Sequence, residues 1–239
     1  MLSGGLYMTQ LEILPIEGLP KIEPGDDIIG MLGDCGEIRQ LDILVVTQKI
    51  ISKSENQLVS IDPNDPLSHK PLVERESVRI LRRRGELIIS ETKHGFVCAN
   101  AGIDLSNVER GQAALLPEDS DRSAQRLRAG LMGRYNLDVA VIISDTFGRP
   151  WRKGLTDVAI GSAGILPILD LRGEPDALGR EMQVTEVALV DELASAAELV
   201  MGKSSGIPVA IIRGGEPDWF GDGNVRENLI RDPQDDLFR

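Results

Sequence analysis

The chain has 239 residues, of which 41% are hydrophobic and 27% are charged, and these fractions are close to the averages of folded soluble proteins. Acidic residues outnumber basic ones by 38 to 26, so the formal charge of −12 repels phosphate backbones and anionic lipid surfaces. We therefore expect neither nucleic acid nor a membrane as a partner.

The residues available for metal or redox chemistry are few. Two cysteines are too few for a disulfide framework or a four-thiolate zinc site, and the two histidines lie in different segments. Any metal must therefore be held mainly by oxygen ligands. No export signal is present and no apolar run approaches the roughly 20 residues that span a bilayer, which predicts a cytoplasmic protein.

The first half of the chain predicts short strands and one longer helix. Apolar spacing and turn residues predict, in chain order, a strand over 11–16, helical turns over 28–31, a buried strand over 41–47, a polar loop over 60–70, a helix over 71–84, and strands over 87–89 and 96–99. Gly85 is predicted to end the helix. The run Arg82, Arg83 and Arg84 is then a solvated helix terminus.

The second half predicts two long helices and two core strands. These are a helix capped by Ser120 or Asp121, a strand over 139–144, a helix capped by Thr185 and stopped by Gly202, a strand over 209–212, and a polar surface tail over 218–239. The elements interleave without the even alternation of a doubly wound sheet. We therefore predict an α+β fold with mixed sheets and packed helices.

The segment Asn100–Asn107 combines small residues with polar side chains. Gly102 lets the backbone approach a ligand, while Asp104 and Asn107 project a carboxylate and an amide three residues apart. An oxygen-rich metal and nucleotide site has this composition. An Asx-type turn after a strand explains the same residues equally well.

A second acidic motif follows the strand over 139–144. Asp145 and Thr146 stand at its carboxyl end, and Arg149 and Arg152 come close behind. Oxygen ligands suit Mg²⁺ or Mn²⁺, and guanidinium groups can grip phosphate or carboxylate by paired hydrogen bonds. The alternative is a loop salt bridge between an acidic residue and an arginine.

The string Gly202-Lys203-Ser204 does not make a P-loop. The first glycine of that motif would fall at Ala197, inside a helix. Lys203 and its turn of small residues remain candidates for contact with phosphate. Because no nucleophile elbow, reactive Cys-His pair or phosphate-binding glycine motif is present, covalent catalysis is disfavoured.

Several strings in register along nearly the whole chain resemble the coenzyme F420-0:gamma-glutamyl ligases. They are Leu14–Pro20, Val45–Lys53, Asn100–Asn107, Ser144–Thr146, Gly179-Arg-Glu and Ile207–Gly214. The resemblance implies a two-lobed fold, an intertwined homodimer, and a single catalytic unit over 1–239 without the nitroreductase-like domain that some bacterial relatives carry.

The resemblance also implies an activity. Members use GTP to join L-glutamate to the lactyl carboxylate of F420-0, through an acyl phosphate, and the number of glutamates added stays open. Asp104, Asp145 and Thr146 are the implied ligands of two divalent ions, Mg²⁺ or Mn²⁺. Whether K⁺ assists is left open. Arg149 or Arg152 is a candidate for holding an acidic substrate group.

The implied nucleotide contacts come from three stretches. They are Leu19, Pro20, Lys21 and Ile22; Gln48, Lys49, Lys53 and Asn107; and Met201, Gly202, Lys203, Ser204, Ser205, Gly206 and Ile207. Gln48 and Lys49 replace small hydroxyl residues of relatives. Lys203 replaces an acidic metal ligand of archaeal relatives, and a lysine cannot ligate a cation. Either water and other oxygens hold the second metal, or Lys203 neutralises phosphate charge in its place.

Two other functions use the same residues. A metal-dependent nucleotide phosphohydrolase would employ the acidic motifs with water as the acceptor. A non-catalytic GTP-binding module would bind the nucleotide without turnover. We rank this module lowest because two separate acidic motifs exceed what binding alone requires.

Overall fold

The computed structural model describes residues 10–236. The opening residues 1–9, which were analysed for targeting signals, lie outside the described residues, as does the end of the predicted polar tail, 237–239. The described elements are, in chain order, β1 (Glu12–Pro15), α1 (Ile28–Asp34), β2 (Ile43–Thr47), α2 (Gln48–Ser54), β3 (Leu58–Ser60), α3 (Lys70–Glu76), β4 (Ser77–Arg84), β5 (Leu87–Thr92), β6 (Val97–Ala99), β7 (Gln112–Ala114), α4 (Ser120–Tyr135), β8 (Ala140–Gly148), β9 (Leu155–Ala163), β10 (Leu169–Asp170), β11 (Glu186–Val187), α5 (Leu189–Met201), β12 (Val209–Arg213) and α6 (Val225–Asn228).

A five-stranded sheet in the order β1-β12-β2-β8-β9 forms the centre of the larger lobe. Only β2 and β8 in this sheet run parallel, and the other neighbours are antiparallel. Alternate residues of β2 enter different cores. Leu44 and Val46 join the cluster that includes α1 and α4, whereas Ile43 and Val45 join the cluster that includes α5. Burial on both faces explains why this strand is apolar throughout.

A smaller lobe is built from short sheets. Strands β4, β5 and β6 form one antiparallel sheet, and β3 pairs with β7 in another. Val73 of α3, Ile88 of β5 and Leu115 meet in a separate apolar cluster. The predicted α+β fold with mixed sheets and packed helices is confirmed, and the apolar cluster of the smaller lobe is separate from the two clusters on the faces of the central sheet. The predicted homodimer stays a prediction, as does the predicted single catalytic unit over 1–239.

The predicted helix over 71–84 is wrong beyond Glu76. The chain leaves α3 at Ser77 and continues as strand β4, which pairs with β5, so Arg82, Arg83 and Arg84 lie on a strand and not at a helix end. Gly85 forms the turn between these strands, with φ of +58°. Hydrogen bonding to a neighbouring strand has overridden an apolar spacing that also suited a helix.

Three predicted boundaries also differ from the structure. Strand β8 continues through Asp145 and Thr146, because β9 pairs with it as far as Gly148. Helix α4 is capped by the carboxylate of Asp119, which accepts a hydrogen bond from the Arg122 amide. Helix α5 begins at Leu189, not after Thr185, because the residues before it pair in β11.

Two expectations from composition can be compared with the described residues. Cys35 and Cys98 are both free thiols. Within residues 10–236, none of the helices combines the length and the apolarity required to cross a membrane.

A close approach between β9 and the start of α4 generates a stability prediction. A Cβ atom at Gly161 would lie 2.3 Å from the carbonyl carbon of Ser120 and 2.7 Å from the amide nitrogen of Asp121. Because backbone atoms cannot turn away as a flexible side chain can, Gly161→Ala is expected to destabilise the fold by about 1–3 kcal/mol. Urea denaturation measures this change.

The matched control is Gly133→Ala on the exposed side of α4, where a Cβ atom would meet nothing within 4 Å. Alanine is the better helix former, so this variant is expected to gain up to about 1 kcal/mol. Similar stabilities for the two variants would contradict the close approach at β9.

Candidate active site

The two parallel strands of the central sheet end beside a cavity of about 460 Å³. Thr47, the last residue of β2, pairs with Ser144 of β8, and both line this cavity. Crevices at the carboxyl ends of parallel strands are favoured ligand sites. Predicted site residues that line it are Leu19, Pro20, Lys21, Ile22, Gln48, Lys49, Lys53, Asp104, Asn107, Asp145, Thr146, Gly202, Lys203, Gly206 and Ile207.

Five predicted site residues do not line the cavity. Arg149 and Arg152 are exposed near the tip that joins β8 to β9, and the Arg149 guanidinium donates to the Lys153 carbonyl at 2.7 Å. Met201 is fully buried in the core. Ser204 and Ser205 lie in the turn after α5, where the Ser205 hydroxyl donates to the Met201 carbonyl. Neither arginine lines the cavity that contains Asp104 and Asp145, and the substrate role of both arginines stays a hypothesis.

Asp104 is fixed in the cavity by backbone and side-chain contacts. Its backbone bonds in both directions with Ala114, at 2.9 and 3.0 Å. Its Oδ1 accepts from the Ser106 amide at 2.6 Å, and its Oδ2 lies 2.6 Å from the Lys49 ammonium. Burial alone would raise the pKa of Asp104, but Lys49 and the Ser106 amide lower it below its ordinary value. The Asx-type turn and the pocket carboxylate are therefore both present.

The pKa of Asp145 is shifted in the opposite direction to that of Asp104. Burial, followed by the nearby charges of Asp104 and Asp157, raises its pKa from 3.8 to about 7, although the Thr146 amide opposes this shift. Among the salt bridges of the described residues none involves Asp145. The alternative of a loop salt bridge between this acidic residue and an arginine is therefore not found within residues 10–236. Asp145 is a carboxylate that lacks a cation of its own.

Asp157 and Glu198 line the same cavity and escaped the sequence analysis. Asp157 is 2% exposed and lies opposite Thr146 in the β8–β9 register. The Thr146 hydroxyl donates to Asp157 Oδ1 at 2.7 Å, and the Lys203 ammonium lies 2.7 Å from the same oxygen. One signal could have revealed Asp157, namely a carboxylate that directly precedes the short apolar run over 158–160.

Three lysines and the amide of Gln48 also line the cavity. Lys21, Lys49 and Lys53 all line it, and burial, followed by the Lys21 charge, lowers the pKa of Lys53. Gln48 is 1% exposed, its Oε1 accepts from Ser52, and its Nε2 has no partner within residues 10–236. Lys21 pairs with Glu23 and Glu109, and Lys49 pairs with Asp104, whereas none of the salt bridges of the described residues involves Lys53. Of these three lysines, Lys53 therefore has the charge that is available to an anionic ligand.

The carboxylates that line the cavity suit a hard cation. Asp104 and Asp145 supply oxygen atoms to one cavity, and a bound divalent ion would relieve the charge that raises the pKa of Asp145. Within the described part of the chain, no group of three or more His, Cys, Asp and Glu side chains is placed to hold a metal ion. Water or phosphate oxygens would therefore complete the coordination shell.

Comparison with known proteins assigns the family. Residues 18–214 match the model of the F420-0:Gamma-glutamyl ligase family, and the chain belongs to this family. A protein of Methanopyrus kandleri named coenzyme F420:L-glutamate ligase is 42% identical over 253 residues, which cover 99% of this chain and 100% of that protein. A protein of the same name from Methanothermobacter thermautotrophicus is 42% identical, with coverage of 96% and 99%.

The pKa of Asp104 is lowered and that of Asp145 is raised, which leads to a prediction about how stability depends on pH. Between pH 3.8 and about 7, folded Asp145 keeps a proton that the unfolded chain releases, so its contribution to stability falls as pH rises through this interval. In buffer without divalent cations, Asp145→Asn is expected to raise the free energy of unfolding at about pH 8, and to lack this decline.

Asp104→Asn is the matched comparison, and it is expected to destabilise the fold because it removes the carboxylate that pairs with Lys49. Urea denaturation at about pH 5 and about pH 8 with a chelator present measures both variants. If Asp145→Asn is less stable than the wild type at the higher pH, then the charge of ionised Asp145 does not destabilise the fold, and the assignment is contradicted.

Proposed function

We propose that this protein joins L-glutamate to the lactyl carboxylate of coenzyme F420-0, with GTP as the phosphoryl donor. The observation that carries the proposal is a cavity lined by Asp104, Asp145 and three lysines, in a chain that is about 40% identical to coenzyme F420:L-glutamate ligases along nearly its whole length. A carboxylate does not form an amide until one of its oxygens becomes a leaving group, and phosphorylation accomplishes this.

The reaction has two balanced steps. An oxygen of the lactyl carboxylate attacks the γ-phosphorus of GTP, the bond to the bridging oxygen breaks, and GDP leaves with the electron pair. The amine of glutamate then attacks the carbonyl carbon of the acyl phosphate, inorganic phosphate leaves, and the new amide nitrogen loses its proton. Positioning and charge stabilisation supply most of the acceleration in such reactions.

The lysines and the aspartates of the cavity would have different roles in this reaction. Lys21, Lys49 and Lys53 would contact the phosphates, and Lys53 would supply positive charge that is not paired with a carboxylate of residues 10–236. Asp104 and Asp145 would hold a divalent cation, Mg²⁺ or Mn²⁺, which neutralises charge on the triphosphate when bound. Strand β8 keeps Asp145 in place, and the backbone bonds to Ala114 of β7 keep Asp104 in place.

The decisive experiment combines F420-0, glutamate, GTP and a magnesium or manganese salt, and identifies the product by mass spectrometry. We expect the mass of F420-0 to increase by one or more glutamyl units, with one phosphate released for each amide formed. A phosphohydrolase would release phosphate without both acceptors, and a GTP-binding module would release none. Either result would contradict the proposal.

Asp104→Ala and Asp145→Ala are expected to lower the rate of product formation by at least about 100-fold, because each removes a ligand of the divalent cation that would neutralise charge on the triphosphate. Glu192→Ala, which changes an exposed acidic residue of α5, is the matched control and should retain the wild-type rate. Full activity in both aspartate variants would show that the cavity is not the site of the reaction.

The two arginines are tested separately because they lie outside the cavity lining. If the tip between β8 and β9 reaches an acidic substrate, then Arg149→Ala or Arg152→Ala will raise the Michaelis constant for F420-0 or for glutamate, since a guanidinium group pairs well with carboxylate and phosphate. Steady-state kinetics with each substrate measures this. Unchanged constants in both variants remove the hypothesis.

A further inference from the structure

The ammonium of Lys203 lies among three oxygen atoms from three different elements. It is 2.7 Å from Thr146 Oγ1 of β8, 2.7 Å from Asp157 Oδ1 of β9 and 2.9 Å from Glu198 Oε1 of α5. An ammonium group has three N–H donors and no acceptor. All three donors of Lys203 are therefore used, and each is directed at a side-chain oxygen of the cavity wall.

The oxygen atoms around Lys203 require a positive charge. The side chain of Asp157 is 3% exposed and that of Glu198 is 19% exposed, so both carboxylates have lost much of their hydration. The Thr146 hydroxyl gives its hydrogen to Asp157, which leaves a lone pair of Thr146 Oγ1 for Lys203. Two carboxylates and a hydroxyl oxygen thus converge on one cation, and that cation is part of the chain.

The backbone directs Lys203 towards this position. The residue follows Gly202, which ends α5 with φ of +61°, in the left-handed region that glycine adopts without strain. The Gly202 amide bonds to the Glu198 carbonyl at 2.8 Å. The end of α5 therefore holds both Lys203 and its partner Glu198 at the cavity.

We propose that the Lys203 ammonium is a built-in cation of the active site and excludes a divalent ion from the oxygen atoms of Thr146, Asp157 and Glu198. A divalent ion can then bind only on the side of the cavity that carries Asp104 and Asp145. Thr146 therefore serves as a hydrogen-bond partner of Lys203 and not as a metal ligand. The part of Lys203 in GTP-dependent ligation rests on the proposed function, but the exclusion of the ion does not.

Two physical reasons support this exclusion. An ion at the position of the ammonium would have to displace it, and an ion next to it would be repelled by its charge. The lone pairs of Asp157 Oδ1 and Thr146 Oγ1 that face Lys203 are already engaged in hydrogen bonds. A fixed ammonium also cannot dissociate or be chelated, so one positive charge stays in the site between turnovers.

The variant Lys203→Glu tests the inference, because it is expected to bind an additional metal ion. In lysine, Cδ is followed by Cε and then by Nζ. In a glutamate that binds a metal ion, Cδ is followed by a carboxylate oxygen and then by the metal ion, so the two paths have the same number of atoms. A cation held by the new glutamate would therefore take the place of the ammonium, with Asp157, Glu198 and Thr146 around it. We expect this variant to bind one more Mn²⁺ per chain than the wild type.

The experiment titrates Mn²⁺ into the purified full chain without nucleotide and counts bound ions by electron paramagnetic resonance. Lys153→Glu is the matched control, because it makes the same charge change at an exposed residue outside the cavity and should bind as many ions as the wild type. Two neighbouring Mn²⁺ ions in Lys203→Glu should also give a spin-coupled spectrum, which a change in net charge alone cannot produce.

An unchanged Mn²⁺ count in folded Lys203→Glu would overturn the inference, and so would two ions bound by the wild type. The wild-type count is decisive by itself if the variant does not fold, which circular dichroism would reveal. A wild type that binds no Mn²⁺, together with a variant that binds one, would support the role of Lys203 and contradict the cation of the proposed function. The product assay tests the ligase activity independently.

Discussion

The charge balance of one cavity constrains the rest of this structure. Asp104, Asp145 and Asp157 come from three separate segments, and burial beside one another would be unfavourable for all of them without positive charge. Lys49 neutralises Asp104 and Lys203 neutralises Asp157. Asp145 is left with a raised pKa, and this unequal distribution marks the side of the cavity where a cation would be most stabilising.

The central sheet brings these groups together. Because β2 and β8 are parallel neighbours, their carboxyl ends open at the same edge, and α2 starts there with Gln48 and Lys49. The antiparallel strand β9 returns along β8 and places Asp157 opposite Thr146. The end of α5 completes the wall with Glu198 and Lys203. Lys49, Asp157 and Glu198 are thus carried by elements with their own apolar packing, and Lys203 follows the end of α5.

The turn over residues 100–107 shows that a local structural role and a functional one can coincide. The Asx-type hydrogen bond to Asp104 Oδ1 orders the turn, while Oδ2 of the same carboxylate lies against Lys49. Backbone bonds to Ala114 fix the residue further. A carboxylate held in this way is already oriented before a ligand binds, which lowers the cost of ordering the site.

The sequence alone determined the buried strands β2, β8 and β12, the long helices and the two acidic motifs, because apolar period and polar residues beside apolar runs are local signals. It did not determine β4, since the spacing of Val73, Ile80 and Leu81 suits a helix equally well and only pairing with β5 decides. Asp157 and Glu198 became site residues only through strand register and helix packing. The partners of Lys203 are 46 and 57 residues away along the chain at Asp157 and Thr146, so only the tertiary structure could decide that its charge is neutralised within the site.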